Sequence, residues 1–194
     1  MNEKKLMNIK LGGISMTTNL WKRMKQWATR LHVRYSKHDD GLYLFFRKDE
    51  KSPYEMNTVY ITSCINQAIT SKVRRGGRYV DQDTVWTIDG KTSVISFPKG
   101  EDTVLYIPKA NRITKITVAD TSITNPLSDF GLMTSLEYLD VNCTDVYGKF
   151  SDLNKCVFLR FLNIKNTNIS GYTSDGAKFL INLTDVEYDD GKDL

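Results

Sequence analysis

The amino-acid sequence predicts an α+β fold, in which a small N-terminal α+β module of residues 1–100 is followed by a short parallel β solenoid of residues 101–194. The first observation is a step of 23 residues, at which similar side chains recur in the C-terminal half. The second is an amphipathic pattern typical of a helix at residues 19–34. The third is the alternation of apolar and polar residues in short segments between residues 41 and 107, which predicts strands.

The 23-residue step is clearest between residues 135 and 171. Each repeat has the spacing apolar-x-x-apolar-x-apolar, followed three positions later by a threonine. An earlier copy begins at Ile113, and a truncated one begins at Leu183, after a step of 24 residues. Alternation within a strand requires the apolar positions to point inward. In the two clearest repeats these positions are Leu136, Leu139, Val141, Leu159, Leu162 and Ile164.

This spacing resembles the leucine-rich repeat family, whose unit is L-x-x-L-x-L-x-x-N/C-x-L. The resemblance covers residues 111–189 and implies stacked coils, with one parallel sheet lining one side. The chain departs from the family pattern, because Thr121, Thr144 and Thr167 stand where the family usually has asparagine. A threonine hydroxyl can bond nearby backbone groups, so we expect a threonine ladder in place of the asparagine ladder.

The side chains between the inward positions should lie on the exposed face of the parallel sheet. Tyr138 and Phe161 hold the same repeat position, so we expect them side by side, about 4.8 Å apart along the stack. Asp140, Asn163 and Lys165 border them. Aromatic anchors are enriched at interface cores, so these five residues form a predicted partner-binding site. The alternative is that the N-terminal half folds back and covers the two rings.

The predicted helix at residues 19–34 places Leu20, Met24, Trp27 and Leu31 on one face. An apolar stripe of this kind most often packs in the core, with the charged side chains solvated. A basic helix can also contact acidic partners or phosphates. The basic side chains of this helix are Lys22, Arg23, Lys25 and Arg30.

The segments GLYLFFRK, NTVYITSCI and TVLYIP predict single strands. Residues 84–97, TVWTIDGKTSVISF, predict a β-hairpin, because Asp89-Gly90 favours the backbone angles of a tight turn. In VRRGGRYV, three arginines surround a glycine pair, and this arrangement fits either an exposed hairpin tip or a contact for phosphate or carboxylate groups. The arginines are Arg74, Arg75 and Arg78.

Composition and motifs favour a non-catalytic protein. Neither histidine has a neighbouring nucleophile, and no nucleotide fingerprint or metal-binding spacing is present, so we predict no enzyme activity, cofactor or metal site. Three widely spaced cysteines predict free thiols. No apolar run is long enough to span a bilayer, and the first residues lack the apolar block of a secretory signal.

Charge is divided unevenly along the chain. Residues 1–100 hold 18 lysines and arginines against 9 aspartates and glutamates, and residues 101–194 hold 9 against 14. With the truncated last repeat, this division predicts a structural subunit that binds other protein chains in a homo- or hetero-oligomeric assembly. It resembles an accessory protein of a bacteriophage virion, and we expect a virion or cytoplasmic location. The alternatives are a nucleic-acid-associated protein that uses the basic half and a bacterial surface adhesion module.

Overall fold

The structure is a computed structural model of the 194-residue chain, and it describes residues 9–11, 14–16, 41–75, 77–171 and 176–189. Contacts between residues divide the chain into two compact units. The units are residues 1–38 and residues 39–194.

In the first unit, the described residues form a short antiparallel ladder of β1 (Ile9–Leu11) and β2 (Ile14–Met16). The helix predicted for residues 19–34 lies outside the described residues. The same holds for its four basic side chains, which are Lys22, Arg23, Lys25 and Arg30.

The second unit contains a four-stranded antiparallel sheet, in the spatial order β3-β8-β5-β6. Burial alternates along β5, as expected for a strand with one face in the core, whereas β3 and β8 are buried at almost every position. Its strands are β3 (Leu42–Phe46), β5 (Gln67–Arg75), β6 (Arg78–Ile88) and β8 (Thr103–Ile107).

A six-stranded mixed sheet has the spatial order β14-β12-β10-β9-β4-β7. The first four strands in this order are parallel to one another, whereas β4 pairs antiparallel with both of its neighbours. The strands are β4 (Met56–Ser63), β7 (Ser93–Pro98), β9 (Ile113–Thr117), β10 (Tyr138–Asp140), β12 (Phe161–Asn163) and β14 (Asp185–Glu187).

Short elements on the other side of the repeats complete the second unit. The strands β11 (Tyr147–Lys149) and β13 (Asn168–Ser170) form a small parallel pair. Helix α1 (Leu127–Phe130) is a single turn that begins after Pro126. Three 3-10 turns lie at Ala110–Arg112, Phe150–Leu153 and Gly176–Phe179.

The predicted fold class, an α+β module followed by a parallel solenoid, is wrong. The described residues form fourteen strands and one four-residue α-helix, and most strands lie in antiparallel or mixed sheets. The parallel strands are not a separate solenoid, because β9 pairs with β4 and so continues a sheet that begins in the N-terminal half. The repeat spacing determines how repeats pair with each other, and it carries no information about which strand lies beside the first repeat.

The predicted hairpin at residues 84–97 is also wrong. Of the two residues expected at the turn, Gly90 has a positive φ, 85°, whereas Asp89 does not. However, β6 before the turn pairs with β5, and β7 after it pairs with β4. The turn therefore carries the chain from one sheet to the other.

The two sheets share one hydrophobic core. Leu44 and Ile69 of the four-stranded sheet belong to the same buried cluster as Ile61, Leu139 and Leu162 of the six-stranded sheet. The six inward positions predicted from the repeat are confirmed, since none exceeds 5% exposure. The core thus runs from the antiparallel strands into the repeats without a break at residue 100.

Candidate interaction surface

The face of the six-stranded sheet that points away from the core carries two rows of side chains in cross-strand register. We call this surface the outer sheet face. Each row contains one residue from each of the strands β9, β10, β12 and β14. The first row is Lys115, Tyr138, Phe161 and Asp185, and the second row is Thr117, Asp140, Asn163 and Glu187.

The second row continues across the antiparallel strands. Thr117 is in register with Tyr60 of β4, which is in register with Val94 of β7. Tyr60 is 46% exposed and Val94 is 54% exposed. The repeat spacing could not reveal these two apolar members, because they come from strands that lie outside the repeats.

Tyr138 and Phe161 stack on each other at the centre of the first row. Their ring centroids are 4.3 Å apart and their planes differ by 6°. In-register parallel strands place equivalent side chains about 4.8 Å apart, which is close to the spacing of stacked aromatic rings. Both rings are half-buried, so each keeps part of its surface accessible to solvent. The structure therefore brings together the aromatic pair that the sequence predicts.

The polar residues predicted around the rings also lie together. Asn163 is mostly buried and donates its side-chain N–H to Glu187 Oε2 at 3.2 Å. Lys165 Nζ lies 3.3 Å from the same carboxylate oxygen, and the Lys165 backbone N–H donates to Asn163 Oδ1 at 3.2 Å. Glu187, which the sequence did not single out, thus connects the two predicted residues.

Two carboxylates near the rings, Asp140 and Glu187, affect the pKa values of this surface. Burial raises the pKa of Asp140; a hydrogen bond from the Asn142 backbone N–H opposes this, while the carboxylates of Glu187 and Asp120 add to it. Burial also raises the pKa of the Tyr138 phenol, with smaller contributions from Asp140 and Glu187. Both shifts have the signs expected for groups that are partly desolvated near carboxylates.

The arginines at the β5–β6 turn lie in the four-stranded sheet, which has its own neighbours. Arg74 forms an ion pair of 3.4 Å with Asp102, and Arg75 lies 3.8 Å from Glu101. Arg78 pairs across the turn with Arg75 and is exposed. Two of the three arginines predicted to contact anions are thus close to carboxylates of the same chain.

A repeating backbone feature escaped the sequence prediction. Asp120, Cys143 and Asn166 have φ angles of 55°, 53° and 53°, in the left-handed region. They follow the last residues of β9, β10 and β12 by three positions, at the step of 23 residues. Asparagine and aspartate are enriched in this region, but a cysteine does not predict a left-handed conformation. The sequence signal for this feature is the equivalent position in each repeat, since the three side chains differ in type.

No group of three or more potential ligands among the described residues could hold a metal ion. None of the helices in the described part of the chain has the length and apolar character needed to cross a membrane. No family model, curated protein or solved structure matches this chain. The leucine-rich repeat resemblance therefore stays a sequence-based prediction.

Proposed function

We propose that this chain is a non-catalytic interaction subunit that binds another protein chain through the outer sheet face. The stacked pair Tyr138–Phe161 is the observation that supports this function. Large aromatic side chains surrounded by polar groups are typical of the energetic centre of a protein interface. On this face the neighbours are Asp140, Asn163 and Lys165, so an aromatic centre with a polar rim is present in one surface.

The polar groups around the rings support binding rather than chemistry. Asn163 and Lys165 both contact the Glu187 carboxylate, and this network holds the side chains in place. A fixed polar rim lowers the entropy that would be lost when a partner binds.

The nucleic-acid alternative receives no specific support from the described residues. The Asp102 and Glu101 carboxylates occupy the neighbourhood of Arg74 and Arg75, where a phosphate would have to bind. We keep a larger assembly as the proposed setting, with a bacteriophage virion as its specific form, on the charge division of the sequence alone.

The test is the double variant Tyr138→Ala/Phe161→Ala in the full chain, with a partner identified by cross-linking in the native source. Because the rings are half-buried and lie outside the main core, we expect the variant to fold. We expect its affinity for the partner to fall by about 2 kcal/mol, which is roughly 30-fold.

A matched control is Tyr54→Ala/Phe158→Ala, which removes one tyrosine and one phenylalanine that are 96% and 55% exposed and lie outside the sheet strands. This control should keep wild-type affinity in titration calorimetry. Unfolding of the isolated Tyr138→Ala/Phe161→Ala variant would show that the rings belong to the core. Unchanged affinity would remove the outer sheet face from the binding site.

A further inference from the structure

Carboxylates outnumber ammonium groups on and beside the outer sheet face. The first and second rows contain Asp140, Asp185 and Glu187, against Lys115. Lys165 is close by, and it is already paired with Glu187 at 3.3 Å. No ion pair joins Asp140 or Asp185 to another described residue. The surface around the rings therefore offers unpaired negative charge.

The stack leaves one face of the Phe161 ring turned toward β14, where Asp185 is in register and accepts a hydrogen bond from the Thr184 hydroxyl at 2.9 Å. The order along the first row is Lys115, Tyr138, Phe161, Asp185. Because the two ring planes are nearly parallel and stack along this row, one face of Phe161 covers Tyr138 and its other face is turned toward β14. The next residue in that direction is Asp185, which is exposed and short.

An aromatic face beside a carboxylate is a favourable environment for a cation. The ring presents the negative lobe of its quadrupole, and the carboxylate supplies a full charge. Arginine fits this arrangement better than lysine, since its planar guanidinium can stack on the ring while its N–H groups donate to the carboxylate.

Resting on the proposed function, we infer that the partner docks an extended basic segment on the outer sheet face, with an arginine over Phe161 and against Asp185. Alternate side chains of an extended segment are about 6.8 Å apart, which matches the spacing between the two rows of the face. A second basic residue, two positions along, then reaches Asp140 and Glu187 in the second row. The recognised pattern is arginine, any residue, arginine.

The raised pKa of Asp140 agrees with this inference. Burial and the neighbouring Glu187 and Asp120 carboxylates disfavour the charged form of Asp140. A cation bound beside Asp140 would favour the charged form of this carboxylate, because an opposite charge nearby stabilises the ionised group.

The experiment measures binding of a fluorescein-labelled Gly-Arg-Gly-Arg-Gly peptide to the full chain by anisotropy. The comparison peptides carry citrulline, which keeps the planar group without its charge, or glutamate in place of arginine. We expect the arginine peptide alone to bind, and we expect its affinity to fall when salt is raised to about 150 mM. Absence of arginine-peptide binding at millimolar protein, or equal binding of the citrulline peptide, would overturn the inference.

Two variants locate the site. Asp185→Asn and Phe161→Leu should each weaken the arginine peptide by about threefold to tenfold, the range of an exposed ion pair or cation–π contact. The control Asp81→Asn changes an exposed aspartate of β6, in the other sheet, and should leave the affinity unchanged. Equal effects of Asp185→Asn and Asp81→Asn would place the peptide elsewhere.

The outcomes separate this inference from the proposed function. If Tyr138→Ala/Phe161→Ala loses the natural partner while Asp140→Asn/Asp185→Asn keeps it, the aromatic face binds the partner and the basic segment is refuted. If both variants keep the partner, both proposals fail. Sedimentation of the chain alone is the remaining check, because self-association abolished by Asp185→Asn would show that a second copy, rather than another protein, occupies the face.

Discussion

Three threonines at the step of 23 residues close the turn after the parallel strands. The hydroxyl of Thr121 donates to the Val118 carbonyl at 2.5 Å, and the hydroxyl of Thr144 donates to the Val141 carbonyl at 2.6 Å. Thr167 does the same within its own repeat, at 2.7 Å. These bonds run within each repeat, three residues back along the chain. The three threonines thus hold equivalent positions, as expected, and each of these hydroxyl bonds lies within one repeat rather than between neighbouring repeats.

The cysteines differ sharply in environment, and this predicts their reactivity. Cys156 is fully buried, and burial raises the pKa of its thiol to about 12, whereas Cys64 and Cys143 are exposed. Because the thiolate is the nucleophile, we expect iodoacetamide near pH 8 to modify Cys64 and Cys143 but not Cys156. Peptide mass spectrometry checks this. Unfolding in denaturant before alkylation should expose all three, and equal labelling of the folded chain would contradict the buried position of Cys156.

The carboxylate of Asp140, on the outer sheet face, predicts that the wild type and Asp140→Asn differ in stability by an amount that depends on pH. Its pKa is raised in the folded chain, so the folded state holds this proton more tightly than the unfolded state does. The contribution of Asp140 to the free energy of unfolding is therefore fully present below the pKa that Asp140 has in the unfolded chain. It is lost as the pH rises through the higher pKa that Asp140 has in the folded chain. Asp140→Asn should therefore be more stable than the wild type at neutral pH, and the difference should shrink toward zero below about pH 3.

Urea unfolding of the two proteins at several pH values measures this difference. Asp81→Asn serves as the control, because the exposed Asp81 carboxylate is paired with Lys72 and should not benefit from neutralisation. A wild type that is more stable than Asp140→Asn at neutral pH would show that the hydrogen bond from the Asn142 N–H outweighs burial and repulsion.

At the scale of elements, the repeat spacing predicted strand register well. Tyr138 is in register with Phe161, and Phe161 is in register with Asp185, as equal repeat positions require. The strands β10, β12 and β14 have only three residues each, so their local propensity is a weak signal. Recurrence over several repeats supplied the information that single segments lacked. For the same reason the aromatic pair of the candidate site was predictable.

The pairing of the antiparallel strands could not be predicted from the local sequence. The Asp89-Gly90 dipeptide predicted that β6 and β7 pair with each other. Which strands pair depends instead on how their side chains pack against the rest of the molecule, and this is a long-range effect. The β3 strand is a second case. Asn125 accepts from the Phe45 N–H at 2.7 Å and donates to the Tyr43 carbonyl at 2.7 Å. This contact spans about 80 residues along the chain, and nothing near Tyr43 indicates it.

At the scale of the whole molecule, the mixed sheet joins two kinds of structure. Strand β4 pairs with β7 on one side and with β9 on the other. The predicted division at residue 100 assumed that a change in sequence periodicity marks a domain boundary. In the structure, the compact unit extends from residue 39 to residue 194, because antiparallel and parallel strands bury their inner faces in one core.

A shared core predicts that the two halves of this unit unfold together. Ile61 of β4 and Leu162 of β12 are both fully buried members of the same cluster. Truncation to alanine at either position should cost about 2–5 kcal/mol through lost burial and the cavity left behind. We expect Ile61→Ala and Leu162→Ala to shift one and the same transition, as followed by hydrogen exchange of peptides covering β4 and β12 during urea unfolding. The control Ile181→Ala, at a side chain that is 81% exposed, should cost less than about 0.5 kcal/mol. If Leu162→Ala instead lowers protection in β12 alone and leaves the transition of β4 in place, the repeats form an independent folding unit and the boundary near residue 100 is restored.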